Sequence, residues 1–137
     1  GVQTCALPIS TILSVAEVDT PKGYALDGAD LKKLLKGKAD KKHRDDFLMH
    51  FPHGEHRANY FTTYRKGDWK LVYYYNPETP GKPSWKLYNL KDDPFEASDL
   101  AEKHPKQVAL LIKQMKERLA EENALYPVDK DGNVCEI

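Results

Sequence analysis

The chain has 137 residues, with 21 lysines and arginines against 21 aspartates and glutamates. That balance argues against a nucleic-acid binder, because neutralising phosphates needs a basic excess on one face, and no run reaches the ~18 apolar residues of a membrane helix. The length allows one small domain or subdomain with a modest core.

The opening stretch GVQTCALPIS lacks an initiator Met. Gly1 to Ile9 back-translate into one reading frame of a widely used sequencing-library adapter, so these residues are expected to be an artefact standing in place of a lost upstream part, and fold reasoning starts at residue 10. On that reading Ser10 stands where the native gene has Pro, and Cys5 drops out. Cys135 is then the only native cysteine, and one thiol makes no internal disulfide.

Thr11 to Ala16 reads as the end of a helix whose beginning is missing. Pro21-Lys22-Gly23 breaks the chain and Asp27-Gly28 turns it. Ala29 to Lys36 places Leu31, Leu34 and Leu35 on one helical face, with Asp27 or Asp30 as cap and Gly37 at the C-terminal end. The basic stretch from Lys32 to Arg44 is interrupted by Asp40 and reads as a solvated helix and linker.

From Phe47 the period changes to two. Phe47 to Phe51 is a strand with one wholly apolar face, ended by Pro52. Tyr60 to Arg65 and Trp69 to Tyr75 form a hairpin across Lys66-Gly67-Asp68. The three prolines of Asn76 to Pro83 exclude a strand interior, and Trp85 to Leu90 gives a fourth strand. After Asp93-Pro94, Pro105 opens a helix whose stripe is Val108, Leu111, Ile112, Met115 and Leu119. The tail from Pro127 is expected to be irregular. The predicted class is α+β: a small four-stranded antiparallel sheet packed against a C-terminal amphipathic helix, preceded by remnant helices.

The run LYNLKDDPFEASDLA, from Leu87 to Ala101, resembles a signature near the C-terminus of formylglycine-dependent sulfatases of the alkaline-phosphatase-like superfamily, roughly E-L-Y-D-L-x-x-D-P-x-E-x-x-N-L-A. Its content is structural: a strand, a turn fixed by Pro94, and Leu100 folding back onto the sheet. Three further pieces agree in order. Thr11 to Ala16 resembles P-T-I-L-x-L-A-G, Asp27 to Gly37 resembles D-G-x-S-L-x-P-L-L-x-G, and Tyr64 to Leu71 resembles the R-x-G-x-W-K-L hairpin. Glu17 departs from the family's Gly, and Lys86 from its frequent Glu.

The resemblance implies residues 10–44 as the end of a catalytic domain with a linker, 45–127 as the C-terminal subdomain and 128–137 as a tail. It implies a parent sulfuric ester hydrolase that uses Ca²⁺ and a formylglycine nucleophile and is exported to the periplasm or outside the cell; a sulfated carbohydrate is the expected substrate because the polar, histidine-rich stretch from His50 to Arg57 suits a hydroxylated ligand. The C/S-x-P-x-R string that yields the nucleophile is absent here, so the chain itself is expected to carry no catalytic residue, no metal ligand and no activity. Its partner is then the missing N-terminal catalytic domain of the same polypeptide.

His50-Phe51-Pro52-His53-Gly54-Glu55-His56-Arg57 is the stretch best suited to touch chemistry. His and Arg donate well to sulfate and sugar hydroxyls, and loops at strand ends favour such roles. His53, His56 and Arg57 are assigned substrate hydrogen bonding, with His50 or Tyr60 supporting. Two other readings stand beside this one: His50 as a satisfied core histidine with its neighbours solvated, or H-x-x-H-x-x-H as a zinc site. Other classes are a carbohydrate-binding module stacking sugars on Trp69, Tyr73, Tyr75 and Trp85, and a fragment of a related phosphatase or phosphonate-ester hydrolase. An open row of rings would favour the module, and rings beneath the terminal helix the sulfatase.

Overall fold

A computed structural model describes residues 3–23, 26, 28–40, 45–52, 60–75 and 84–137. The chain divides into two compact units, residues 1–44 and 45–137.

In the first unit α1 spans Gln3–Ala16 and α2 spans Lys32–Leu35. Thr11 to Ala16 is thus the end of a helix, as read from the sequence, and its helical backbone runs back through Pro8; adding residues to an existing helix costs far less than nucleating one. It ends at Glu17 with φ +57°, where the Val18 N–H returns to the Leu13 carbonyl at 3.0 Å, a left-handed helix stop that normally takes glycine. Side chains join the two helical segments. Ser10 donates to the Gly28 carbonyl, the Leu31 N–H donates to Thr11 Oγ1 at 3.0 Å, and Lys32 Nζ donates to the Ser14 carbonyl at 2.8 Å. Asp30 accepts the Lys32 N–H at 2.8 Å, while Asp27 lies outside the described residues. α2 is one turn long because Gly37, at φ +68°, stops it. Its Leu35 is left in solvent.

The second unit is the α+β layer expected. Strands β1 (Asp46–Phe51), β2 (Phe61–Lys66), β3 (Trp69–Tyr74) and β4 (Ser84–Asn89) form an antiparallel meander in sequence order, followed by α3 (Pro105–Glu121). The β2–β3 hairpin turns at Gly67 with φ +57°, the positive angle a two-residue hairpin needs at its first central position. Register places Leu48, Tyr64, Leu71 and Leu87 in one row across all four strands. On that row α3 lays Leu111, Met115 and Leu119, spaced by one helical turn each and all but inaccessible to solvent. Burial of such side chains contributes roughly 1.5–3 kcal/mol apiece.

Polar clamps close the layer. Arg118 Nε on α3 lies 3.5 Å from Asp46 Oδ2 on the edge strand, and Nη1 reaches Glu121 and Glu122 at 2.7 and 2.9 Å. Asp46 also accepts the Tyr64 hydroxyl at 3.1 Å. On the far edge the Leu100 N–H donates to the Leu87 carbonyl at 2.8 Å, and Asp99 Oδ1 accepts the N–H groups of Leu87 and Ala101 at 3.1 and 2.9 Å. This is the physical content of the Asp93–Ala101 signature. Pro94 turns the chain, Asp93 Oδ2 accepts the Ser98 N–H at 2.9 Å, and Leu100 folds onto β4. The family pattern has Asn where this chain has Asp99; both offer the same side-chain oxygen to those two donors.

The tail is less irregular than its composition suggests. Val128 and Val134 bridge across Asp129-Lys130-Asp131-Gly132-Asn133, and Asp129 Oδ1 accepts the N–H groups of Asp131 and Asn133 at 2.9 and 2.8 Å. Cys135 is a free thiol, and its N–H bonds the Pro127 carbonyl.

Candidate functional site

In a four-strand meander the β1–β2 and β3–β4 connections leave from the same end of the sheet. The strand ends at Phe51, Phe61, Tyr74 and Ser84 therefore lie side by side at that end. His53, His56 and Arg57, the proposed substrate contacts, fall on the first connection and lie outside the described residues.

His50, one residue inside that end, is described in full. Its side chain lies on the helix-facing side with Leu48. Nδ1 is 2.7 Å from Thr62 Oγ1, and Nε2 is 2.8 Å from the Leu125 carbonyl. A carbonyl only accepts, so Nε2 carries the proton. In the neutral ring Nδ1 then accepts from the Thr62 hydroxyl, which itself accepts from the Tyr75 hydroxyl at 2.7 Å. One proton serves each link, and the chain of donors closes without a conflict. Thr62 is inaccessible to solvent and Tyr75 nearly so. Burial pushes the Tyr75 phenol well above its ordinary value, an effect its bond to Thr62 only partly offsets. The rings of Tyr75 and Tyr126 flank the imidazole edge-on at 6.1 and 5.9 Å.

Both imidazole nitrogens are thus committed to protein atoms. These are the contacts of the satisfied core histidine reading. Tyr60 packs its side chain against the core cluster and uses its carbonyl to accept the Tyr75 N–H at 3.1 Å. Thr62, Tyr75 and the carbonyl of Leu125 are the members of this network that sequence reading missed. Alternation alone puts Thr62 and Tyr75 on the His50 side of the sheet, but nothing local marks a carbonyl 75 residues away.

The rings considered as a sugar platform are not open. Tyr73 and Tyr75 are buried, and Trp69 and Trp85 pack on the cluster that α3 covers. Tyr73 meets Trp85 at 4.3 Å and Tyr75 at 4.8 Å between centroids, so these rings spend their faces on one another. Among the described residues no group of three His, Cys, Asp or Glu side chains is placed to hold a metal ion, and no helix is long and apolar enough to cross a membrane.

The family model for the C-terminal region of N-sulphoglucosamine sulphohydrolase matches residues 6–124. The chain belongs to that family. It is also similar to a sulfatase of Schizosaccharomyces pombe, itself uncharacterized, with 33% identity over 107 residues that make up 71% of this chain and 17% of the relative. Among solved structures it resembles BT4656 in complex with its substrate D-glucosamine-2-N,6-O-disulfate. The TM-score there is 0.63 and the identity 25%, covering 81% of this chain and 22% of BT4656. The phosphonate monoester hydrolase of Agrobacterium radiobacter shares the fold at a TM-score of 0.60 and 17% identity, over 82% of this chain and 24% of that one. The chain therefore spans about a fifth of the relatives it matches, and the family is a sulfatase family at its C-terminal end.

Proposed function

We propose that this chain is the C-terminal portion of a sulfuric ester hydrolase that acts on a sulfated glycan, with a sulfated amino sugar as the favoured substrate class. The family match over residues 6–124 carries this reading. Fold alone would not, since a phosphonate ester hydrolase shares it; the disulfated glucosamine bound by BT4656 supplies the substrate class.

In this reading the chain supplies no reacting group. It forms a braced sheet end from which the connection bearing His53, His56 and Arg57 meets the leaving-group side of the substrate, where Arg57 pairs with sulfate oxygens and the histidines donate to hydroxyls. Calcium and formylglycine, both implied by the sulfatase resemblance, belong to the part of the parent outside these residues, as does export to the periplasm or beyond. There the cation would stabilise charge on the sulfuryl group.

The experiment is sulfate release by the full-length parent from glucosamine carrying N- and 6-O-sulfate, beside phosphate and phosphonate monoesters. Sulfate release by the parent, and none by the 137-residue chain, is the expected result. Hydrolysis of a phosphonate ester without any sulfate release overturns it. Alanine at His53, His56 and Arg57 together is expected to lower kcat/KM at least ~100-fold, the cost of removing charged and neutral donors from a bound anion; an unchanged value removes this connection from the substrate site.

A further inference from the structure

Positive charge is unevenly placed along this neutral chain. From Asp30 to Arg44 stand seven lysines and arginines against two aspartates. The backbone gathers the four that fall on described residues, Lys32, Lys33, Lys36 and Lys38. α2 carries the first two, and the stop at Gly37 folds the chain so that the Lys38 N–H bonds the Lys33 carbonyl at 2.9 Å. A freely solvated run of like charges repels itself and extends; this one turns back on itself. Two of the cations are also held in place. Lys32 Nζ donates to the Ser14 carbonyl at 2.8 Å, and Lys33 Nζ lies 3.6 Å from Asp40 Oδ1. Lys36 and Lys38 are exposed, and neither forms an ion pair with a described residue. Ammonium groups on one turn repel, and an anion set among them relieves the repulsion.

We infer that the turn bearing Lys32, Lys33, Lys36 and Lys38 binds a sulfated polysaccharide, with Lys33, Lys36 and Lys38 pairing with its sulfate groups. This rests on the reading that the parent acts on sulfated glycans, and it extends that reading from the reacting sugar to the polymer. Each lysine is a rotatable point charge rather than a shaped fork, which suits a flexible chain carrying anions at intervals. Other polyanions fit less well. Between residues 30 and 40 there is no aromatic ring on which a nucleic-acid base could stack, and the four residues of α2 present too little apolar face to enter a lipid interface.

The test titrates the full-length parent with fluorescein-labelled heparin over a range of salt concentrations. Lys33→Gln, Lys36→Gln and Lys38→Gln together are expected to weaken binding at least ~10-fold and to flatten the slope of log Kd against log salt by about two to three, one counterion for each charge removed. Arginine at the same three positions keeps the charge and is expected to bind as the parent does. Lys106→Gln, Lys113→Gln and Lys116→Gln together take the same charge from the exposed side of α3 and are expected to leave binding unchanged. Equal weakening by the two glutamine triples overturns the inference, because binding then follows net charge alone. An unchanged Kd in the first triple, or weakening by the arginine triple as well, also overturns it. So does tighter binding to double-stranded DNA or phosphatidylserine vesicles than to heparin through the same lysines, by making another polyanion the ligand. None of these measurements uses turnover, so a parent that holds heparin through this turn and releases no sulfate would sink the proposed activity and leave the binding surface standing.

Discussion

The Nε2 nitrogen of His50 sits 2.8 Å from the carbonyl oxygen of Leu125, a residue just past the end of α3. That bond fastens the last segment of the subdomain to the strand end from which the histidine-bearing connection leaves. His50→Ala strands the Leu125 carbonyl and deprives the Thr62 hydroxyl of its acceptor. The expected loss is ~1–3 kcal/mol in urea unfolding. Tyr75→Phe, which leaves the Thr62–His50 bond in place, is expected to cost only about 1 kcal/mol.

The same region sets the alkaline limit. Burial raises the phenols of Tyr75, Tyr73, Tyr88 and Tyr126 above their ordinary value of 10.0. A raised folded value means the native state holds its protons longer than the unfolded chain. This stabilisation is therefore complete below pH 10 and drains away as pH climbs past it. Stability measured against pH should fall above that point, with phenolate absorbance appearing together with unfolding, and Tyr75→Phe should flatten part of the fall.

At the acid end the sign reverses. Backbone N–H groups of Ala97 and Ser98 hold the Asp93 carboxyl below its usual 3.8, and Asn133 does the same for Asp129. Their contribution is present above that value and is lost as pH falls through it. Asp93→Asn should lower stability at neutral pH and weaken the acid dependence, so that variant and original sequence converge as pH falls below 3.8, read by unfolding at several pH values.

Two left-handed residues offer stabilisation. The Asn123 N–H bonds the Ala120 carbonyl at 3.2 Å and the Ala124 N–H bonds the Leu119 carbonyl at 3.0 Å, closing α3 on Asn123 at φ +50°. Glu17 closes α1 at φ +57°. Replacing either by Gly is expected to add about 0.5–1 kcal/mol, the larger gain falling at Glu17, since Asn tolerates this conformation better. Thermal melts of the two single variants check this.

The clamp between layers is the most sensitive polar contact. Arg118→Leu removes the guanidinium 3.5 Å from the buried carboxylate of Asp46 on β1, and a loss of roughly 2–4 kcal/mol is expected. Leu119→Ala, in the core beside it, is expected to cost ~2–5 kcal/mol. Chemical denaturation of both variants gives the comparison.

Most of the architecture was legible because period-two and helical patterns act locally. The strands, the hairpin at Gly67 and the stripe on α3 all follow from residues near one another in sequence. Thr11 to Ala16 was legible as a helix end; the turns before it were not, because a suspected foreign origin for residues 1–9 says nothing about whether their backbone can extend a helix. The identity of His50 was readable only as a choice among roles. Its partners Thr62, Tyr75 and Leu125 are ones that no spacing rule brings together. His53, His56 and Arg57 remain a reading of residue chemistry on a connection whose two ends alone are described.

Asp99 and Leu100 bond to the outer rim of β4, while no described strand pairs with the outer rim of β1. A ribbon sealed along one border can be extended only from the other. Copies of the subdomain meeting rim to rim would find the Leu87 backbone on one side already taken, a blunted border that favours pairs over fibres.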